Sequence, residues 1–160
     1  MTAGRQVGIH RSGTFSLGGK VVHRLGFGAM HLADPDIWGP PVDRDNSVRV
    51  ARRAVELGID FIDTADAYGF GVTEEIRREA LHPYPDHLLI ATKAGRTQTR
   101  PREWVSLSRP EYLRQQCEYS LRRLRVDRID LFRLHRVDPE VPFDDQIGEL
   151  KAPQPSRRLR

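Results

Sequence analysis

The chain alternates between short apolar runs and longer segments whose apolar residues recur every three or four positions, the signature of strands followed by helices. The first run, RLGFGAM at 24–30, leads through a Pro/Gly-rich loop into SVRVARRAVELG, where Val48, Ala51, Ala54 and Val55 fall on one helical face. Asp45 or Asn46 is the expected N-cap of that helix, and Gly58 is placed to stop it. A second run, FIDTA at 61–65, precedes a helix opening near Thr73, with Glu74 and Glu75 in its first turn, where the helix dipole favours anions. The third run, LLIATK at 88–93, is as apolar and β-branched as a buried strand requires. Ser108 and Glu111 then form an S-x-x-E capping box ahead of Leu113, Cys117, Leu121 and Leu124. The fourth run, IDLFRLH at 129–135, leads into PFDDQIGEL, a helix with Phe143, Ile147 and Leu150 on one side that Pro153 and Pro155 break. Ahead of all four units, TFSL-GG-KVVH reads as a β-hairpin turning at Gly18-Gly19.

Strand and helix alternating at this pitch predict parallel strands with right-handed crossovers. The expected fold class is therefore α/β, with about four βα units behind a hairpin. Four such units make an open parallel sheet or half of a closed barrel, since a full eight-unit barrel takes about 250 residues and the chain has 160. The expected organisation is a flexible terminus over residues 1–13, a partial barrel domain over 14–152, and a basic Pro/Arg tail over 153–160.

Hydrophobic residues at 38% and charged residues at 30% place the chain among soluble globular proteins. The net charge of +4 does not mark a nucleic-acid partner, because the last ten residues, KAPQPSRRLR, carry four basic and no acidic side chains and account for all of it. No basic stripe or RNA-binding aromatic motif accompanies it. No apolar run approaches the roughly 18–20 residues of a membrane span. The first residues, MTAGRQVGIHRSG, lack the apolar core of a signal peptide, and a single cysteine, Cys117, suits a reducing compartment. A cytoplasmic location is expected.

In a parallel barrel, reactive groups come from the C-terminal ends of strands and the loops after them. Asp63, Lys93 and His135 sit at such ends, and Tyr68 lies in the loop after the second strand. Each has a plain structural reading. Asp63 can cap a turn, Lys93 can snorkel to water, His135 can be a hydrogen-bonded interior histidine, and Tyr68 can cover the core. Lysine, however, occurs only three times among 26 basic residues, and its retention after LLIAT points to a compact, titratable ammonium. The four together suit proton donation to a carbonyl. A free tyrosine, with a pKa near 10, is a poor acid at neutral pH, and an adjacent ammonium favours the phenolate. An aspartate holds the ammonium charged, and a neutral histidine orients the substrate oxygen.

The ordered motifs GFGAM, GIDFIDTADAYG, IATKAG and RIDLFRLH resemble the aldo/keto reductase family over about residues 14–152. WGPP, ALHPYPD and LHRVDP are further similar to a bacterial branch of that family with pyridoxal reductase-like enzymes. The resemblance implies an eight-stranded β/α barrel plugged at its bottom by the hairpin, and NAD(P)H-dependent reduction of an aldehyde or ketone. It implies Tyr68 as proton donor, Lys93 and Asp63 as the groups that tune it, and His135 as the group that positions the carbonyl. NADPH would lie across the mouth near Gly28, Ala29, Met30 and Asp63. Trp38 and Trp104, in long loops after the first and third strands, either wall the substrate pocket or pack beneath a loop.

Two features depart from the family pattern. The residues that hold most of the cofactor in relatives belong to the second half of the barrel, so the sequence has no counterpart for them, and its shift to APQPSRRLR is the mark expected of a frameshift, premature stop or truncated gene model. Arg133 stands on the inward face with Leu89, Ala91 and Leu131, where relatives carry an uncharged residue, and a buried unpaired guanidinium is costly there. An uncovered inward face also predicts instability or self-association. The alternative to an active reductase is therefore a catalytically silent half-barrel. A metal-dependent hydrolase using Asp63 and His135 needs more ligands than the strand ends supply, and no resident metal is expected.

Overall fold

The computed structural model describes residues 8–152; the basic tail expected over 153–160 lies outside the described residues. Strands β1 (Thr14–Leu17) and β2 (Lys20–His23) form the expected hairpin, with Gly18 and Gly19 at φ values of 60° and 80° as a two-residue turn requires. Four parallel strands follow in the order β3 (Phe27–Gly28), β4 (Phe61–Asp63), β5 (Leu89–Ala94) and β8 (Leu131–Leu134). Helices α1 (Arg44–Glu56), α2 (Val72–Leu81), α3 (Pro110–Leu124) and α4 (Phe143–Lys151) complete four βα units. Between β5 and α3 the chain inserts an antiparallel hairpin, β6 (Arg96–Arg100) with β7 (Glu103–Ser106), where the sequence suggested only a long loop. Residues 9–12, expected within a flexible terminus, form a short 3-10 turn with Ile9 buried.

The strand residues obey a period of two. Ile62, Ile90 and Phe132 face the helices: Ile62 packs with Val48, Ala51, Ala54 and Ile76 of α1 and α2, while Ile90 and Phe132 pack with Cys117, Leu121 and Leu124 of α3. Phe61, Leu89, Ala91 and Leu131 face the other way and meet Leu17 and Val22 of the hairpin, which covers that side from below. Lys20 anchors the hairpin to Asp130 at 2.8 Å, and the backbone amide of His23 donates to Asp60 at 3.0 Å. Both carboxylates precede a sheet strand, so the hairpin sits at the N-terminal end of the sheet and leaves the C-terminal end free.

Three helix boundaries and faces differ from expectation for identifiable reasons. Asp43, rather than Asp45 or Asn46, caps α1, accepting the Asn46 amide at 2.8 Å. The Ser108–Glu111 capping box does not form: Arg109 occupies the cap position, Pro110 presets the first helical residue, and the Ser108 hydroxyl instead donates to the carbonyls of Gly95 and Arg136. On α4 the buried residues are Gln146 and Glu149, and Phe143 is exposed. Gln146 satisfies the backbone of Asp138 and Val141, and Glu149 takes a bidentate ion pair from Arg114 at 3.1 and 2.6 Å. That helix packs through polar partners rather than an apolar stripe.

Arg77 of α2 is fully buried and reaches across the sheet, donating to the carbonyls of Leu89 at 2.7 Å, Ala91 at 2.9 Å and Ile62 at 3.4 Å. Burial lowers its pKa to about 10, so it stays charged at neutral pH. Removing it strands buried carbonyls on two adjacent strands. Arg77→Met is expected to destabilise the fold by about 3 kcal/mol or more, since at least two buried carbonyls each lose a charged donor at about 1.5–3 kcal/mol apiece. Urea unfolding reads this directly, and a loss below about 1 kcal/mol, within the range of a neutral hydrogen bond, would show that α2 holds the sheet by apolar packing alone.

Candidate active site

The free C-terminal end of the sheet collects the side chains singled out by sequence. Asp63 closes β4, Lys93 stands near the end of β5, His135 follows β8, and Tyr68 hangs in the loop between β4 and α2. Lys93 and Tyr68 are buried, at 8% and 7% exposure. The Lys93 ammonium donates to the Tyr68 hydroxyl at 2.9 Å and the Thr64 carbonyl at 2.9 Å, and forms an ion pair with Asp63 Oδ2 at 3.0 Å. The Tyr68 and His135 rings meet edge to face, with centroids 5.6 Å apart.

The Tyr68 loop is held on several sides. The Tyr68 amide donates to the Ala65 carbonyl, the Thr73 amide donates to the Tyr68 carbonyl, and Asp66 donates its amide to Lys93. Gly69, at φ +60°, runs so close to the backbone of Gly39 that a Cβ there would stand 2.8 Å from its carbonyl oxygen. Trp38 packs on Phe70 at 4.8 Å between centroids and its amide donates to Asp34 at 2.7 Å. It therefore braces the loop from the side. Trp104, on β7 rather than in a loop, instead borders His135, with centroids 6.4 Å apart. Gln98, in register with Trp104, donates to the Ile37 carbonyl at 2.9 Å and so ties the Trp104 strand to the Trp38 loop.

Gly28 pairs in register with Asp63, and Ala29, fully buried, donates its amide to the Asp63 carbonyl at 2.8 Å. A Cβ on Gly28 would meet nothing within 4 Å, so the backbone there faces open space. Met30 opens a short 3-10 turn at Met30–Leu32. Gly28 and Ala29 thus run beside the backbone of Asp63, and Met30 follows them directly.

Arg133 is not the unpaired inward charge that its position threatened. It lies opposite Lys93 in the β5–β8 register and forms an ion pair with Asp63 Oδ1, with 40% of its side chain exposed. Asp63 is thus shared between two cations. The strand alternation placed Arg133 inward, and the only added step is that Asp63, on the same face two strands away, is within its reach. Asp66, inside the motif that carries Tyr68, also escaped notice: it is buried behind the loop, and its carboxyl is raised to about 8 by burial first and by Glu74 second.

His135 is pushed down to about 4, mainly by burial and then by the positive charges of Lys93, Arg96, Arg133 and Arg136. It is a neutral imidazole at neutral pH, with one ring nitrogen donating and the other accepting. Its Nδ1 is buried without a hydrogen-bond partner. The mouth thus presents a tyrosine hydroxyl on an ammonium and a neutral histidine beside it, a pair suited to polarise and protonate one oxygen.

A family model described as "Aldo/keto reductase family" matches residues 24–155. An uncharacterized oxidoreductase of Schizosaccharomyces pombe is 47% identical over 94% of this chain and 49% of its own length. The pyridoxine 4-dehydrogenase of Escherichia coli is 46% identical over 77% of this chain and 43% of its own. Among solved structures, the holo form of an aldo-keto reductase from Bacillus halodurans superimposes with a TM-score of 0.71 and 32% identity, over 85% of this chain and 44% of that one. A glycerol dehydrogenase from Gluconobacter oxydans gives 0.73 and 39%, over 87% and 44%. The chain therefore spans about half the length of the relatives it matches.

The depressed His135 makes stability depend on pH in a stated direction. Between pH 6.5 and about 4 the unfolded chain takes up a proton on this residue that the folded chain refuses. Stability therefore falls as pH falls through that window. His135→Gln removes this contribution, so its urea midpoint should fall less than the parent's between pH 7 and pH 4.5. Parallel profiles would show that the imidazole titrates freely in the fold.

Proposed function

Because this chain belongs to the aldo/keto reductase family, we propose that its mouth reduces the carbonyl of a small aldehyde or ketone, with NADPH as reductant. The contact that carries this reading is Lys93 Nζ, 2.9 Å from the Tyr68 hydroxyl and 3.0 Å from Asp63. The Tyr68 hydroxyl delivers the proton to the carbonyl oxygen. The Lys93 ammonium stabilises the phenolate left behind, and Asp63 keeps that ammonium in place. His135, neutral at working pH, donates a hydrogen bond to the same oxygen and orients the carbonyl. Trp104 flanks the substrate, while Trp38 fixes the loop that presents Tyr68.

When bound, reduced nicotinamide supplies the hydride. Gly28, Ala29, Met30 and Asp63 are the residues that would hold that ring, supported by the open space over Gly28 and the buried backbone bond from Ala29. The fit extends to the nicotinamide end of the cofactor. The second reading, a catalytically silent half-barrel, is favoured by one observation: the chain covers 43–49% of the two relatives named above.

NADPH oxidation followed at 340 nm with a simple aldehyde separates the two. The purified chain is expected to reduce the aldehyde, and Tyr68→Phe to lower kcat by about 10²–10⁴-fold, the usual contribution of a positioned acid. Aldehyde-dependent oxidation no faster than the buffer blank would leave the silent half-barrel, and an undiminished rate in Tyr68→Phe would remove the tyrosine from the chemistry.

A further inference from the structure

Arg96 is a charge without a counterpart. It opens β6, half-buried, at the edge of the mouth. Its guanidinium carbon stands 4.6 Å from the centroid of the Trp104 ring, and that ring lies 6.4 Å from His135, which in turn meets Tyr68 at 5.6 Å. Among the described residues its side chain makes no ion pair and no hydrogen bond. Arg77, Arg114, Arg123 and Arg133 each find carbonyls or a carboxylate.

The surroundings sharpen the point. Lys93, Arg96, Arg133 and Arg136 all bear on His135, and Asp63, the carboxylate that pairs with Lys93 and Arg133, has both oxygens engaged by those two. The mouth is left with a surplus of positive charge. The backbone fixes where that surplus stands. Gly95, at φ +113°, is packed so tightly that a Cβ would meet the Ser108 hydroxyl at 2.8 Å, and the chain turns there directly into Arg96. Stacking on Trp104 then holds the guanidinium plane.

We propose that Arg96 is a substrate-binding residue that takes a carboxylate or phosphate on the carbonyl compound, so that the site selects anionic aldehydes or ketones over neutral ones of the same size. The fork of a guanidinium suits the two oxygens of such a group, and Trp104 spans the gap from that group to the carbonyl held by His135 and Tyr68. The proposal rests on the reading of the mouth as a carbonyl-reducing site, but its binding arm needs no turnover.

The matched probes are succinic semialdehyde and butanal, four-carbon aldehydes with and without a carboxylate, titrated against the tryptophan fluorescence of the full chain. Succinic semialdehyde is expected to bind at least about tenfold more tightly, equivalent to about 1.4 kcal/mol. Arg96→Gln should bring the ratio close to one, and Arg96→Lys, which keeps the charge but loses the fork, should retain part of it. NADPH binding, read by its own fluorescence, is the control for the cofactor's phosphates as the anion. An Arg96→Gln loss confined to NADPH would assign the guanidinium to the cofactor and overturn the proposal. Equal affinities in the parent, binding of neither aldehyde, or an equal loss for both probes in Arg96→Gln would also overturn it, the last leaving Arg96 as packing for Trp104. Discrimination in binding without NADPH oxidation would uphold Arg96 and refute the reductase reading alone.

Discussion

The C-terminal end of this sheet is organised around one ammonium. Lys93 is buried, donates to the Tyr68 hydroxyl and the Thr64 carbonyl, and is ion-paired with Asp63. Taking a charge out of water is costly unless partners of this kind compensate it. Each partner belongs to the neighbouring strand or its following loop, so the charge is also what fixes the loop's height above the sheet. Thr64 and Thr73 share a buried hydrogen bond at 2.8 Å directly beneath that loop, and Gly69 passes against Gly39 beside it. The tyrosine hydroxyl is therefore presented by the fold rather than by its own rotamer.

The same constraint explains the electrostatics around it. With Lys93 committed, a second cation on the inward face needs an anion, and Arg133 finds the other oxygen of Asp63. His135, packed among these charges and burial, cannot carry one of its own and stays neutral. A neutral imidazole sits edge to face against the tyrosine ring, without the repulsion a third cation would bring. The positive excess is pushed outward to Arg96 and Arg136.

Much of this was legible from residue order. The ends of the apolar runs, repeated in four βα units, placed Asp63, Lys93 and His135 at one end of the sheet, and Gly18-Gly19 specified the hairpin, because both are signals local in the chain. What stayed hidden depends on tertiary partners. The β6–β7 hairpin carries Arg and Gln where apolar alternation was sought, and Gln98 holds its place by donating to the Ile37 carbonyl at 2.9 Å. Ser108 fits a capping box by spacing, yet Pro110 starts the helix and the serine ties two loops instead. The buried face of α4 is Gln146 and Glu149, whose partners Asp138 and Arg114 lie too far along the chain for a helical pattern to reveal. Arg133 looked like a liability because its partner sits two strands away, 70 residues earlier.

The central claim is that Lys93 acts through Tyr68. A double-mutant cycle on aldehyde reduction tests it most directly, comparing Lys93→Met, Tyr68→Phe and the two together. Groups that act as a unit lose their effect together, so the double variant should be no slower than the worse single one. Losses that multiply would contradict the claim, showing that the ammonium contributes to the rate by a route that does not pass through the tyrosine.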